Sequence, residues 1–158
     1  MVSLLGLEYC KLDNNGRFKF PIGLKRQLED EDMRFVFRPS VDAECLELWT
    51  YESFRAEVEF LKSELNPYSA EDRYLRRKLT RGKIVEMDNN DRLVIPNEMR
   101  QLFKTSKEIV LQSTGDCLEI WDYDTYCRDN ENNASYSQRI DERLGKVRRN
   151  SNVSESQS

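Results

Sequence analysis

Apolar and polar residues alternate over Cys10-Lys11-Leu12 and again over Arg17-Phe18-Lys19-Phe20, with the polar stretch Asp13-Asn14-Asn15-Gly16 between them. Period-two alternation on both sides of a glycine-containing break predicts two short strands joined by a tight turn. Pro21 ends the second strand and admits a short helical turn. Phe35-Val36-Phe37 and Cys45-Leu46-Glu47-Leu48-Trp49 predict two further strands. Thr50 is a suitable N-cap, and Phe54, Val58, Leu61 and Leu65 then recur at helical spacing, predicting a helix that Asn66-Pro67 breaks. A second helix is predicted over 69–81, with Gly82 as its C′ residue. Further on, Tyr136, Ile140, Leu144 and Val147 predict one short amphipathic helix. Residues 150–158 are too poor in apolar groups to order themselves.

The same grammar occurs twice. Residues 12–21 read Leu-Asp-Asn-Asn-Gly-Arg-Phe-Lys-Phe-Pro, and residues 87–96 read Met-Asp-Asn-Asn-Asp-Arg-Leu-Val-Ile-Pro. Phe35-Val36-Phe37 is answered by Ile109-Val110-Leu111, and Cys45-Leu46-Glu47-Leu48-Trp49 by Cys117-Leu118-Glu119-Ile120-Trp121. Order and spacing match, so the chain is a tandem of two related units joined by a pair of helices. Trp49 and Trp121 recur at one position beside alternating apolar residues, which predicts core or interface anchors.

The turn predicts its own register. As a three-residue loop, Asn14-Asn15-Gly16 puts Gly16 in the left-handed position. Asp13 then lies opposite Arg17, Leu12 opposite Phe18, Lys11 opposite Lys19, and Cys10 opposite Phe20. Leu12, Phe18, Cys10 and Phe20 face a core; Asp13, Arg17, Lys11 and Lys19 face solvent or a partner. A one-residue slip would mix the two faces. In the second unit Met87, Leu93, Val85 and Ile95 share the inner face, while Asp88 and Arg92 oppose each other outside. Asp91 stands in for the glycine, and aspartate is among the few residues that tolerate that conformation. The repeated Asp–Arg pair has two readings. It is a cross-strand ion pair worth about 0.2–1 kcal/mol, or an aspartate that orients a guanidinium for a phosphate or a guanine edge.

Charge narrows the choice. The 158 residues carry a net charge of −4, from 25 basic and 29 acidic side chains. Yet residues 1–28 hold five basic side chains against two acidic, while residues 29–64 hold four against eleven. The first turn is a positive island on an acidic molecule, as local contact with nucleic acid requires. A further basic cluster (Arg73, Arg76, Arg77, Lys78, Arg81 and Lys83) is expected to pair with Glu52, Glu57, Glu59 and Glu64 of the preceding helix, with DNA contact as the alternative.

Histidine is absent, so no Ser-His or Cys-His dyad exists and no imidazole titrates near neutral pH. Cys10, Cys45, Cys117 and Cys127 show no C-x-x-C spacing and read as small reduced side chains. No metal site, cofactor loop or activated nucleophile is visible, and no apolar run approaches the ~20 residues of a membrane span. The N-terminus lacks a signal-peptide pattern, so a soluble cytoplasmic protein that is not an enzyme is expected.

A strand–Asp-x-x-x-Arg–strand–Pro unit that occurs twice, at Asp13 to Arg17 and Asp88 to Arg92, resembles the bacterial MraZ family over about residues 1–128. The resemblance implies an α+β, mainly β fold: two pseudo-symmetric swapped-hairpin β-barrel units of the AbrB/SpoVT kind, joined by a helical hairpin. The units are expected at 6–55 and 81–128, with a helical linker at 56–80 and a tail at 129–158. It further implies a sequence-specific regulator of the operon for cell division and wall synthesis. Such a regulator binds short direct repeats of double-stranded DNA upstream of that operon, as a homo-oligomeric ring associated with the nucleoid. On this resemblance Arg17 and Arg92 are the first DNA-contact candidates, with Lys11 and Lys19 beside Arg17, and Asp13 and Asp88 orienting the arginines. No cofactor, metal, membrane or small-molecule substrate is expected. A unit of roughly 50 residues buries too little core alone, which favours interleaved units and self-assembly. The alternative is a non-catalytic oligomeric scaffold or antitoxin-like module that grips a protein through its acidic helices.

Overall fold

The alternating segments do become strands, but most of them pair with strands distant in sequence. The computed structural model describes residues 4–28, 32–103, 107–131 and 135–145. The first repeat supplies β1 (Leu7–Lys11), β2 (Arg17–Lys19), β3 (Arg34–Pro39) and β4 (Leu46–Thr50). The second supplies β5 (Lys83–Glu86), β6 (Arg92–Val94), β7 (Glu108–Ser113) and β8 (Leu118–Asp122). After Pro21 comes α1 (Ile22–Lys25), and after Pro96 a 3-10 turn, Asn97–Leu102. Between the two repeats run α2 (Tyr51–Glu64) and α3 (Ala70–Leu79). Thr50 caps α2 as expected, its side chain accepting a hydrogen bond from the Ser53 N–H at 3.2 Å. The chain continues through α4 (Tyr123–Glu131) and α5 (Tyr136–Ile140), which runs into a π-helical turn, Asp141–Gly145. Val147 and the polar tail at 150–158 lie outside the described residues. Residues 1–125 cluster as one compact unit and residues 126–158 as another.

Six strands form one antiparallel sheet in the order β1-β7-β8-β4-β3-β5, and β2 pairs with β6 as a separate two-stranded ribbon. Thus β1 of the first repeat lies on β7 of the second, with Cys10 opposite Ile109, and β5 of the second lies on β3 of the first, with Val85 opposite Phe35. The central strands β4 and β8 join the halves, with Leu48 opposite Leu118. This corrects two expectations. Among the described residues no closed barrel forms; the strands make an open sheet and a ribbon instead. The local hairpin register holds at Asp13 opposite Arg17 and fails beyond it. Lys11 faces Glu108 rather than Lys19, and Lys19 faces Arg92. The predicted faces hold nonetheless: Leu12, Phe18 and Phe20 are buried and Cys10 is half-buried. Alternation states which side of a strand is wet, not which strand lies beside it.

One core collects Phe18, Phe20, Phe35 and Phe37 of the first repeat with Leu93, Ile95, Ile109 and Leu118 of the second. Each such side chain contributes about 1.5–3 kcal/mol on full burial, so neither repeat owns enough of the core to stand alone. On the opposite face of the sheet, Val36 and Trp49 pack against Phe54 of α2. Trp49 and Trp121 are both buried, as their repetition predicts.

Arg38 fastens the linker to the sheet. It is 4% exposed. Its Nε donates to Glu47 Oε1 at 2.8 Å, its Nη2 to Glu57 Oε2 of α2 at 3.0 Å, and its Nη1 to the Leu79 carbonyl at the end of α3 at 2.6 Å. Gly82 is not the left-handed C′ residue expected; α3 ends at Leu79 with Thr80 as its cap. The glycine is needed for close approach. A Cβ at Gly82 would lie 2.5 Å from Val36 Cγ1 and 2.8 Å from Phe54 Cζ.

The four cysteines are free thiols, and among the described residues no cluster is arranged to hold a metal ion. Burial pushes Cys10 up to about 11 and Cys117 up to about 12. Among the described residues no helix is long and apolar enough to cross a membrane.

Removing Arg38 leaves Glu47 buried without its cation. Arg38→Ala is expected to lower the unfolding free energy by about 3–5 kcal/mol, read as a shifted urea midpoint at unchanged slope. A loss below 1 kcal/mol would show that the linker is held by other contacts.

Candidate nucleic-acid interface

The two Asp-x-x-x-Arg turns fold to one geometry. Asp13 Oδ1 accepts from the Asn15 N–H at 2.8 Å and the Arg17 N–H at 2.9 Å, while the Asp13 N–H donates to the Arg17 carbonyl at 2.9 Å. Asp88 Oδ1 accepts from the Asn90 N–H at 2.8 Å and the Arg92 N–H at 2.9 Å, and the Asp88 N–H donates to the Arg92 carbonyl at 3.0 Å. Gly16 has φ 76° and Asp91 has φ 61°, the left-handed positions expected of both. Aspartate side chains commonly organise turns in this way. Their first task is therefore to hold the backbone, and only Asp88 also meets its arginine, with Oδ2 3.4 Å from Arg92 Nε.

Each turn is locked to the other repeat. The Gly16 carbonyl accepts from the Ile95 N–H at 2.8 Å, and the Asp91 carbonyl accepts from the Phe20 N–H at 2.7 Å. Between these reciprocal bonds lies the β2–β6 ribbon, with Arg17 opposite Val94, Phe18 opposite Leu93 and Lys19 opposite Arg92. Phe18 and Leu93 are fully buried beneath it. Arg17, Lys19 and Arg92 therefore share its outer face, although Arg17 and Arg92 lie 75 residues apart.

That face is electrostatically unsettled. Lys19 sits directly across from Arg92, and like charges in opposing positions destabilise a sheet. Among the described residues neither Arg17 nor Lys19 has a side-chain hydrogen bond or ion pair. A surface that accepts this cost suits an anionic partner. Lys11 is separate from it: exposed, on β1, and opposite Glu108.

Two neighbours escaped the sequence reading. Lys25 Nζ lies 2.6 Å from Asp91 Oδ1 in the other repeat, so the extra carboxylate of the second turn is neutralised across the pseudo-symmetry. Arg100 occupies the corresponding place against Gly16, its Nε donating to the Ile95 carbonyl at 2.8 Å. A Cβ at Gly16 would lie 2.4 Å from that Nε. The signal was present: each cation stands four residues after the proline of its repeat.

The backbone amide of Arg17 holds the Asp13 carboxyl below its ordinary range, helped by the Asn15 amide and by the charges of Arg17 and Arg92. Asp88 is lowered likewise, first by the Arg92 amide. A depressed carboxyl contributes stability above its unfolded value of about 3.9 and loses it as pH falls through the folded one.

A family model described as "MraZ protein", to which an antitoxin-like character is attributed, matches residues 80–147. A transcriptional regulator MraZ of Christiangramia forsetii is 37% identical over 128 residues, covering 80% of this chain and 82% of the relative. One from Flavobacterium psychrophilum is 34% identical, covering 80% and 81%, and one from Mycoplasmoides gallisepticum is 30% identical, covering 82% and 88%.

Carbon-detected titration is expected to place the Asp13 and Asp88 side-chain midpoints below the ordinary ~3.9, with both turns intact at neutral pH and loosening only in acid. Midpoints at or above that value would refute the amide capping. Gly16→Ala adds a left-handed penalty of about 1–2 kcal/mol and a clash with Arg100. It should lower the melting temperature, and Arg100→Ala in the same chain should recover part of the loss.

Proposed function

Because the chain belongs to the MraZ family, we propose that it is a DNA-binding transcriptional regulator, not an enzyme, and that the ribbon face meets the DNA. The observation that carries the site is the β2–β6 pairing. It gathers Arg17, Lys19 and Arg92 onto the outer side of one two-stranded ribbon. The major groove of B-DNA admits such a ribbon, and arginine reads guanine through bidentate bonds to O6 and N7. Lys19 then serves as a phosphate contact that positions the ribbon without reading sequence. Asp13 and Asp88 present the arginines by fixing the turns from which they project. Lys11, off the ribbon, is a flanking phosphate contact.

The organisation follows the same reading. Residues 6–55 and 81–128 are the two DNA-binding units, 56–80 the helical linker and 129–158 a tail. The exchange of β1 and β5 between the repeats supports swapped hairpins of the AbrB/SpoVT kind. A chain of net charge −4 gains little from long-range attraction to DNA. Copies assembled as a ring on short direct repeats upstream of the protein's own operon supply the missing affinity through effective concentration. Such a protein works in the cytoplasm, at the nucleoid.

A mobility-shift titration on the upstream duplex tests this. Arg17→Ala combined with Arg92→Ala should weaken binding at least about thirtyfold, from two contacts of about 1 kcal/mol or more each. Lys11→Ala should cost less. Binding by the double variant at wild-type strength would remove the ribbon from the site.

A further inference from the structure

The expected pairing between α3 and the acidic helix before it does not form. Glu57 is held by Arg38 and Glu59 by Lys62 at 3.4 Å, both outside α3. Among the described residues none of Arg73, Arg77, Lys78 and Arg81 makes an ion pair or a hydrogen bond through its side chain, and all four are exposed. Lys78 Nζ lies 5.5 Å from the centre of the Tyr74 ring. Arg73 and Arg77 stand one turn apart, as do Tyr74 and Lys78, so these side chains make one face of the helix. Leu75 and Leu79 are half-buried on the opposite side.

The helix dipole does not account for this face. Cations in a last turn gain about 0.3–1 kcal/mol from it, which covers Arg76, Arg77 and Lys78. Arg73 lies in the first half of α3, and Arg81 beyond its end. A protein partner is a poor match as well, because interface cores are depleted in charge and rich in apolar area. Among the described residues of α3 and the turn before it, the exposed large apolar groups are Tyr74 and Tyr68. Guanidinium and ammonium groups flanked by phenol hydroxyls match phosphate oxygens. The place is suitable too. The carbonyl of Leu79 is tied to buried Arg38, and β5 leads from there directly into the Asp88 turn. Its four residues span about 13 Å, roughly four base-pair rises.

We propose that the exposed face of α3 is a second contact with the phosphate backbone of DNA, independent of base sequence and separate from the ribbon. It rests on the reading of this protein as a DNA-binding regulator. The ribbon selects the sequence, and α3 adds affinity and register on the flanking backbone.

The test is a salt titration of binding by fluorescence anisotropy, using the full chain and two labelled duplexes of equal length, the upstream DNA and a shuffled sequence. Arg73→Gln with Arg77→Gln and Lys78→Gln should make the slope of log K against log salt shallower by about 2.7 on both duplexes, at about 0.9 per lost phosphate contact. The ratio of the two affinities should not change. Arg73→Lys with Arg77→Lys keeps the charge and should keep the slope. An unchanged slope in the glutamine variant, alongside a ribbon variant (Arg17→Ala, Arg92→Ala) that has lost discrimination, overturns the α3 contact and leaves the ribbon reading standing. A ribbon variant equal to wild type, alongside a shallower slope in the glutamine variant, does the reverse. Sedimentation without DNA covers the remaining case: a smaller assembly at unchanged slope would make α3 a contact between copies and overturn the proposal.

Discussion

The pairing of β2 with β6 brings a strand from each repeat together over Phe18 and Leu93, and the two left-handed carbonyls, of Gly16 and Asp91, close its ends. Desolvating Phe18 and Leu93 requires both strands at once, so each repeat folds its ribbon strand only against the other. From that requirement the remaining features follow. The arginines meet on one face, Lys25 of α1 pairs with Asp91 and Arg100 of the turn after Pro96 lies against Gly16 of the opposite repeat, and β1 and β5 leave their own turns for the far edges of the sheet.

Within this near-symmetry the two halves have diverged in charge. The first turn has a bare glycine covered by the Arg100 guanidinium; the second has an aspartate held by Lys25. Each exchange keeps one cation beside the left-handed residue and alters the net charge of the turn. A similar divergence lies at the centre of the sheet, where Glu47 faces Glu119 across β4 and β8. Glu47 is compensated by Arg38. The second repeat has Gln112 at the matching position, and burial raises the Glu119 carboxyl while the Trp121 indole N–H donates to it at 3.2 Å. The first repeat thereby acquires the buried cation that anchors the linker, and the second does not.

Anchoring explains why the linker helices carry their charge as they do. With Glu57 drawn to the sheet by Arg38, no ion pair joins a carboxylate of α2 to a cation of α3 among the described residues. The basic face of α3 is left outward by the same contact that fixes its C-terminal end. Local charge counting along the two helices missed this, because the strongest competitor for Glu57 lies on β3, nineteen residues earlier.

The amino-acid sequence by itself determined the repeats, the eight strands, the cap at Thr50, the left-handed positions at Gly16 and Asp91, and which side chains turn inward. These depend on neighbours within a few residues, where alternation, turn chemistry and capping act. Tertiary structure alone decided which strands are partners. A strand's wet and dry sides are the same beside any neighbour, and the choice between Lys19 facing Lys11 and Lys19 facing Arg92 rests on how two incomplete cores are jointly filled. The same holds for Lys25, Arg100 and Arg38. Lys25 reaches Asp91 and Arg100 reaches Gly16 only once the two halves meet, and Arg38 gathers partners that lie nine to forty-one residues further along the chain.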